Sequence, residues 1–372
     1  MKIGLVTTHS FPTPYKIHTG DIVIIQLAEA LHKLGHSVNL YAPEGSFAKG
    51  VTVYPMPCSY GKYPPRGEDC EQSCFDSHKE VLLSEDIVHD FSVHKTIANN
   101  LFNLNRKVIC TLMGGAWTQL QQPHNLCVWS QSHRNRVLRG ATDYENTPTP
   151  DVAGPSQTPV NEAHVVSGGV DTNFYCPNSE NGNFTYKKDN YFLWMNRWHP
   201  AKGYKQAIDI ARYTKINLVM AGEHPDNECF EYQKNCALEA VEYAKGLDNV
   251  KFNWLPKDPD HHTAKRSLYR SAQALLYTVQ FNEPFGLSQT EALACGTPVI
   301  GTNYGSVPEL IVNGQVGFVR KNDILELSNA IYMNDIIKPE TCRRVAAEKY
   351  DIAVMAKSYL KEYEKILNNQ SW

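Results

Sequence analysis

Four charged side chains stand where they could act on an anionic or hydroxylated ligand: Arg197, Lys202, Glu283 and Glu291. The two glutamates belong to residues 282–301, which read NEPFGLSQTEALACGTPVIG. An apolar run over 272–278 predicts a buried strand ahead of this stretch. Pro284 and Gly286 force a loop. Leu287, Ala292, Leu293 and Cys295 then set an apolar stripe on a helix that Gly296 closes, and Pro298 blocks its continuation. Val299 and Ile300 begin the next strand. In such a strand–loop–helix–strand unit a glycine lets the backbone come close to a ligand at the helix N-terminus, where free N–H groups suit a phosphate or sugar oxygen. Glu283 lies in the loop, and Glu291 follows eight residues on, about two helical turns later. The plain alternative is an α/β turn carrying solvated glutamates.

Arg197 and Lys202 lie in WMNRWHPAKGYK, residues 194–205, where a strand end gives way to a short loop and a helix start. A solvated pair is one reading of them. A helix N-terminus prefers anions, however, so two cations there are an odd choice unless an anionic ligand completes the site.

The string over 282–301 resembles the donor-site motif of retaining glycosyltransferases of the GT-B fold, in particular the large family 4. That pattern is glutamate, Pro-Phe-Gly-Leu, a second glutamate eight positions after the first, then Ala-Leu-Ala-x-Gly-x-Pro-Val-Ile, and every position matches. Arg197 and Lys202 match the family's strand-end Gly-Arg…Lys-Gly element, with Asn196 where glycine is usual. The resemblance implies an α/β, GT-B architecture: two Rossmann-like domains with parallel sheets facing across a cleft. It implies transfer of a hexose, with retention of configuration, from a nucleotide-sugar (a UDP-sugar such as UDP-glucose) to a hydroxyl acceptor. Arg197 and Lys202 would then stabilise charge growing on the departing diphosphate, more in the transition state than before it. Glu283 would contact the donor sugar, and the backbone N–H groups of Phe285, Gly286 and Leu287 would hold sugar and diphosphate. Glu291 would take the ribose hydroxyls, a bidentate match for one carboxylate. Backbone near Trp254 and Leu255 would hold the base.

Other elements position these groups. Strand 2–8, helix 22–34 and strand 38–41 open a Rossmann-like half, and its loop over 9–21 would lie at the carboxyl end of the sheet, where ligands bind. The family usually has two glycines in that loop; here they are Thr19 and Gly20. Residues 55–72 read as an irregular excursion, followed by strand 86–91, helix 93–103 and strands 108–112 and 126–129. Members often carry a histidine after the strand corresponding to 108–112, where this chain has Met113; His9, His89 and His94 are candidates to replace that contact. The basic stretch HRNRVLRG, 133–140, is a solvated helix face or an acceptor surface. By resemblance, residues 1–170 form the acceptor-binding domain, residues 171–352 the donor domain, and helix 353–372 returns to the first; 178–190 reads as a linker.

Composition sets limits. A chain of 372 residues suits two domains, and a net charge of −3 gives no general attraction to nucleic acid or anionic membranes. No apolar run is long enough to span a bilayer, and the start reads as a strand rather than a signal peptide. Of the ten cysteines, Cys58, Cys70 and Cys74 with nearby His78 make at most half a metal site in a Pro/Gly-rich loop. No DxD element stands out, so no cofactor or metal is expected and the cations do the work of Mg²⁺. A reduced, cytoplasmic protein is the expectation. Competing readings are an epimerase- or phosphorylase-like GT-B protein and an inactive nucleotide-sugar-binding module. The acceptor is left open among glycan, lipid-linked glycan, small molecule and nucleic-acid base.

Overall fold

The computed structural model describes residues 1–8, 19–57, 67–114, 124–148, 159–227, 231–256 and 260–372. Strands in chain order are β1 (Lys2–Val6), β2 (Ser37–Pro43), β3 (Thr52–Met56), β4 (Ile87–Asp90), β5 (Val108–Leu112), β6 (Leu126–Val128), β7 (His164–Val165), β8 (Asn178–Glu180), β9 (Asn183–Thr185), β10 (Phe192–Met195), β11 (Leu218–Glu223), β12 (Val250–Leu255), β13 (Leu275–Tyr277), β14 (Val299–Thr302) and β15 (Gly317–Arg320). Helices are α1 (Thr19–Lys33), α2 (Gly67–Ser84), α3 (Thr96–Asn103), α4 (Gln131–Arg139), α5 (Tyr204–Thr214), α6 (Glu231–Tyr243), α7 (His261–Ser271), α8 (Leu287–Ala294), α9 (Val307–Leu310), α10 (Ile324–Tyr332), α11 (Pro339–Lys349) and α12 (Ile352–Leu367).

Contacts divide the chain into two compact units: Met1–Thr142 with Gly154–Gly169 and Ile352–Trp372, and Asp143–Ala153 with Val170–Asp351. Each holds one parallel sheet. The first has the order β3-β2-β1-β4-β5-β6-β7 and the second β12-β11-β10-β13-β14-β15. In both, the order reverses beside the unit's first strand. This makes a topological switch point at β1/β4 and another at β10/β13, where open α/β sheets bind ligands outside the strands' carboxyl ends. Strands β4, β5, β10 and β13 are buried along their whole length; β10 and β13 are accordingly continuous apolar runs rather than alternating ones, whereas β5 includes Thr111 and β4 ends on the buried polar pair His89 and Asp90.

The first unit's core gathers Val6, Met56, Val88, Ile97, Leu101, Val108 and Val128. Helix α12 packs beside α1. Its buried Tyr359 and Tyr363 reach the sheet: Tyr359 hydroxyl meets Thr111 Oγ1 at 3.0 Å and accepts from Trp129 Nε1 at 3.2 Å. Helix α4 starts where Ser130 accepts from the His133 N–H at 3.0 Å and stops at left-handed Gly140.

Three stretches differ from the sequence reading. The supposed irregular segment 55–72 contains the end of β3 and the start of α2. Cys70 and Cys74 therefore sit four residues apart on one helix face, both buried, rather than in a loop. There they pack as small apolar groups; burial, with Asp90 and Glu71 nearby, pushes the Cys74 thiol up to about 12. His78 bonds the Pro55 carbonyl at 2.9 Å. Cys58 lies outside the described residues. The polar linker 178–190 contains a hairpin, β8–β9. Finally, Asp143–Ala153 groups with the second unit instead of the first.

Candidate active site

The second unit's switch point brings Lys202 and Glu283 together. Lys202 ends the turn Pro200–Lys202 that follows β10, and Glu283 lies in the loop after β13. Backbone stitches these two loops: Gln280 N–H donates to Ala201 O at 2.7 Å, and Thr278 Oγ1 donates to Gly203 O at 2.8 Å. Gly203, left-handed at φ 70°, permits this approach; a Cβ there would fall 1.7 Å from the Thr278 oxygen, a backbone atom that cannot yield. From the other side, Asn282 N–H donates to Asp143 O at 2.7 Å, and Ser306 N–H donates to Glu283 O at 2.9 Å.

Held in this way, the Glu283 carboxylate accepts from Lys202 Nζ at 2.6 Å and from the Tyr277 hydroxyl at 2.5 Å, both on Oε2. Lys202 Nζ also lies 4.6 Å from the centre of the Phe281 ring. Burial lowers the Lys202 ammonium from its usual range, and Glu283 beside it works in the opposite direction. The sequence left two cations at a helix start without a negative charge; Glu283 supplies one to Lys202. Arg197 is exposed on the same post-β10 loop. Between them, His199 accepts from the Ala201 N–H through Nδ1 at 3.1 Å, and burial, Arg197 and Lys202 push it down to about 4.

Glu291 occupies a second, separate clamp. Helix α8 begins at Leu287, so Glu291 is about one turn from the helix start rather than two. It is 5 % exposed. Lys265 Nζ reaches its oxygens at 2.8 and 3.1 Å, and the Tyr269 hydroxyl donates at 2.9 Å. Burial works to raise this carboxyl; Lys265 and the hydrogen bonds outweigh it and hold it below the usual carboxylate range. Gly286, at φ 83°, turns the chain into α8; a Cβ there would lie 2.7 Å from the Tyr277 hydroxyl.

A sequence model of the family described as glycosyl transferases group 1 matches residues 177–349, all within the second unit. The probable sucrose-phosphate synthase of Thermosipho melanesiensis is 29% identical over 54% of this chain and 47% of its own. The solved sucrose-phosphate synthase of Thermosynechococcus elongatus superposes with a TM-score of 0.74 at 17% identity over 99% of both chains. Anabaena HepE in complex with UDP superposes at 0.69 with 16% identity, over 98% of this chain and 100% of its own.

Residues 177–349 carry the sequence pattern of the glycosyl transferases group 1.

The fold of its solved neighbours is GT-B. The first curated relatives it matches are spanned over only about half of their length, at 49%, 43% and 47%. The other sequence-selected residues are dispersed. Phe285 is buried, and Leu287 opens α8. Leu255 ends β12, opposite Glu223 in register. In the first unit Thr19 and Gly20 open α1, and Gly20 lies against Met113, whose Sδ would be 3.2 Å from an added Cβ. His94 is half-buried, its N–H donating to Glu71 Oε1 at 3.0 Å. His9 lies outside the described residues. His89 needs correction as a sugar-contact candidate. It is wholly buried, its Nδ1 meets Tyr363 hydroxyl and its Nε2 meets Thr111 Oγ1, each at 2.8 Å, so both ring nitrogens are committed to the core. The sequence reading missed Tyr277, Tyr269 and Lys265. The available signal was Lys265, a lysine spaced four residues from His261 and from Tyr269 on the buried face of α7.

Proposed function

We propose that this glycosyltransferase moves a hexose from a UDP-sugar, UDP-glucose in the first instance, to a hydroxyl acceptor with retention of configuration. The observation that carries the reading is the Lys202–Glu283–Tyr277 cluster at the β10/β13 switch point, which pairs a cation with a sugar-orienting carboxylate on one rigid loop pair. When the glycosidic bond of the donor breaks, the diphosphate gains negative charge. Lys202 and Arg197 receive that charge, and the Lys202–Glu283 pair exchanges its partner for the phosphate. Glu283, relieved of the ammonium but still held by Tyr277, orients the sugar ring as it flattens and turns positive. The first N–H groups of α8 lie beside this point and suit the same anion. The UDP donor is favoured by the HepE structures, which hold UDP, UDP with glucose, and UDP-glucose. Acceptor choice falls to the first unit's loops, which carry specificity on a fixed scaffold.

Incubation of the purified protein with UDP-glucose, UDP-galactose or GDP-mannose in EDTA tests this. Slow release of UDP from a UDP-hexose without acceptor, retained in EDTA, is expected. Binding of nucleotide with no release would leave a binding module. Product analysis by NMR with a cognate acceptor would show an inverted anomer if the retaining assignment is wrong.

A further inference from the structure

A lysine 5 % exposed, paired with a glutamate 5 % exposed, calls for a reason beyond stability. Desolvating two charges often costs as much as their attraction returns, and an apolar pair of similar volume would serve the fold as well. The geometry suggests another use. Glu291 Oε1 accepts a hydrogen bond from Lys265 at 3.1 Å and Oε2 accepts one from the Tyr269 hydroxyl at 2.9 Å, while Lys265 Nζ also makes an ion contact with Oε2 at 2.8 Å. A carboxylate has about four acceptor positions. Lys265 and Tyr269 take two of them and the Tyr175 hydroxyl lies within reach of a third, so Glu291 in this setting takes one hydroxyl and not two. The ammonium carries three N–H donors; its hydrogen bond and its ion contact here both go to Glu291.

We propose that Lys265 is a specificity-determining residue for the nucleoside: with Glu291 it presents one donor beside one acceptor to the ribose diol, the 3′-hydroxyl donating to the Glu291 carboxylate and the 2′-hydroxyl accepting from Lys265 Nζ. This rests on the reading of the second unit as the donor-binding domain. It replaces the simple bidentate match of one carboxylate to two hydroxyls. The surroundings fix the pair. Lys265 Nζ lies 5.9 Å from the Tyr175 ring centre, and the Tyr175 hydroxyl meets His262 Nδ1 at 2.9 Å, so aromatic and imidazole groups close around it. Lys265 also keeps the carboxylate charged; without it, burial would act on Glu291 with only neutral and weaker partners opposing it.

Calorimetric titration of UDP and 2′-deoxy-UDP into wild type, Lys265→Met and Lys265→Arg tests the assignment. Wild type is expected to favour UDP by roughly tenfold, the worth of a hydrogen bond to a charged group. Lys265→Met should weaken UDP by about the same factor and bring the two nucleotides to near equality. Its UDP affinity should also decline with falling pH at a higher pH than in wild type, because Glu291 then protonates more readily. Lys265→Arg should restore part of the preference. If Lys265→Met does not fold, the double variant Lys265→Met/Glu291→Gln, which leaves no lone buried charge, should likewise bind both nucleotides equally. A wild type that does not distinguish the two, or a Lys265→Met protein with wild-type preference and pH profile, overturns the inference while leaving the donor reading intact. A wild type that binds no nucleoside diphosphate overturns both.

Discussion

The two units present the same architecture to opposite purposes. At β10/β13 the polar groups that follow the strands stay close to one another and keep donors and acceptors for a visitor: Lys202, Glu283 and Tyr277 share a single carboxylate oxygen. At β1/β4 the polar groups are turned inward and spent on the chain. Lys95 is 1% exposed, donates to the carbonyls of Asp90 and Thr111 at 2.8 and 3.0 Å, and faces the Asp90 carboxylate. Asp90 in turn caps the Ser92 and Ala98 N–H groups. Asp21 accepts from Thr8. Parallel sheets of like topology therefore do not imply like sites; around Lys95 and Asp90 the charge at the strand ends is satisfied largely by backbone groups, and at Lys202 by the Glu283 carboxylate.

The largest effect that would break this contrast belongs to Lys202. With Lys202 in the proposed diphosphate role, Lys202→Ala should lower kcat by roughly a hundredfold or more, since the ammonium would act on charge that grows in the transition state. Its circular dichroism should match wild type, because Gly203 and the loop stitching do not involve Nζ. Lys95→Ala, by contrast, should lose the native fold or much of its stability, for it strips two carbonyls and a buried carboxylate of their donor. Equal turnover losses in two well-folded proteins would erase the distinction.

Next come the glutamates. Glu283→Gln should act mainly on kcat, and Glu291→Gln mainly on donor KM, by about tenfold, because the ribose contact proposed for Glu291 would be common to ground and transition states. Tyr277→Phe should follow Glu283 and lower kcat several-fold to about tenfold, the worth of one hydrogen bond to a charged group. Steady-state kinetics at saturating and limiting donor separate these. If Tyr277→Phe moves only KM, the phenol does not position the catalytic carboxylate.

How much of this was readable before the structure depends on how local each feature is. Residues 282–301 carry loop, helix start and both glutamates in one stretch, so the site's frame could be read directly. Tyr277 and Tyr269 sit inside apolar strand and helix patterns and look like core aromatics; only the fold shows their hydroxyls on carboxylates. His89 misled for the converse reason. Its partner Tyr363 is 274 residues away, and no spacing rule connects them. Helix α2 escaped because Glu, Asp, Gln, Ser and Lys dilute its apolar face, and it follows a Pro/Gly-rich stretch. The Lys265–Glu291 pair joins two helices, and periodicity marks each without showing that they face each other.

The smallest expected effect sharpens the comparison through pH, because the two switch points carry titrating groups of opposite sense. Burial raises the Asp21 carboxyl from 3.8 to about 7, with the Thr8 hydrogen bonds partly opposing it. Between these values the folded chain holds a proton that the unfolded chain has released, so this group's contribution is lost as pH rises through about 7. His199 runs the other way. Its folded value is about 4 against 6.5, so between them the unfolded chain binds the extra proton, and the contribution is lost as pH falls through that window. The reason is visible in the turn: protonating Nδ1 removes the acceptor of the Ala201 N–H. Asp21→Asn keeps an acceptor for Thr8 without a titratable proton, and His199→Asn does the same for Ala201. Relative to wild type, the first should gain a few degrees of melting temperature at pH 8 and little at pH 4.5, and the second should gain at pH 4.5 and nothing at pH 8; pH 8 lies above both windows and pH 4.5 near the lower end of each. Thermal melts of the three proteins across that range decide it. Curves that stay parallel to wild type in both variants would mean that neither group titrates differently in the folded chain, and that the contrast between the switch points lies in their hydrogen bonding alone.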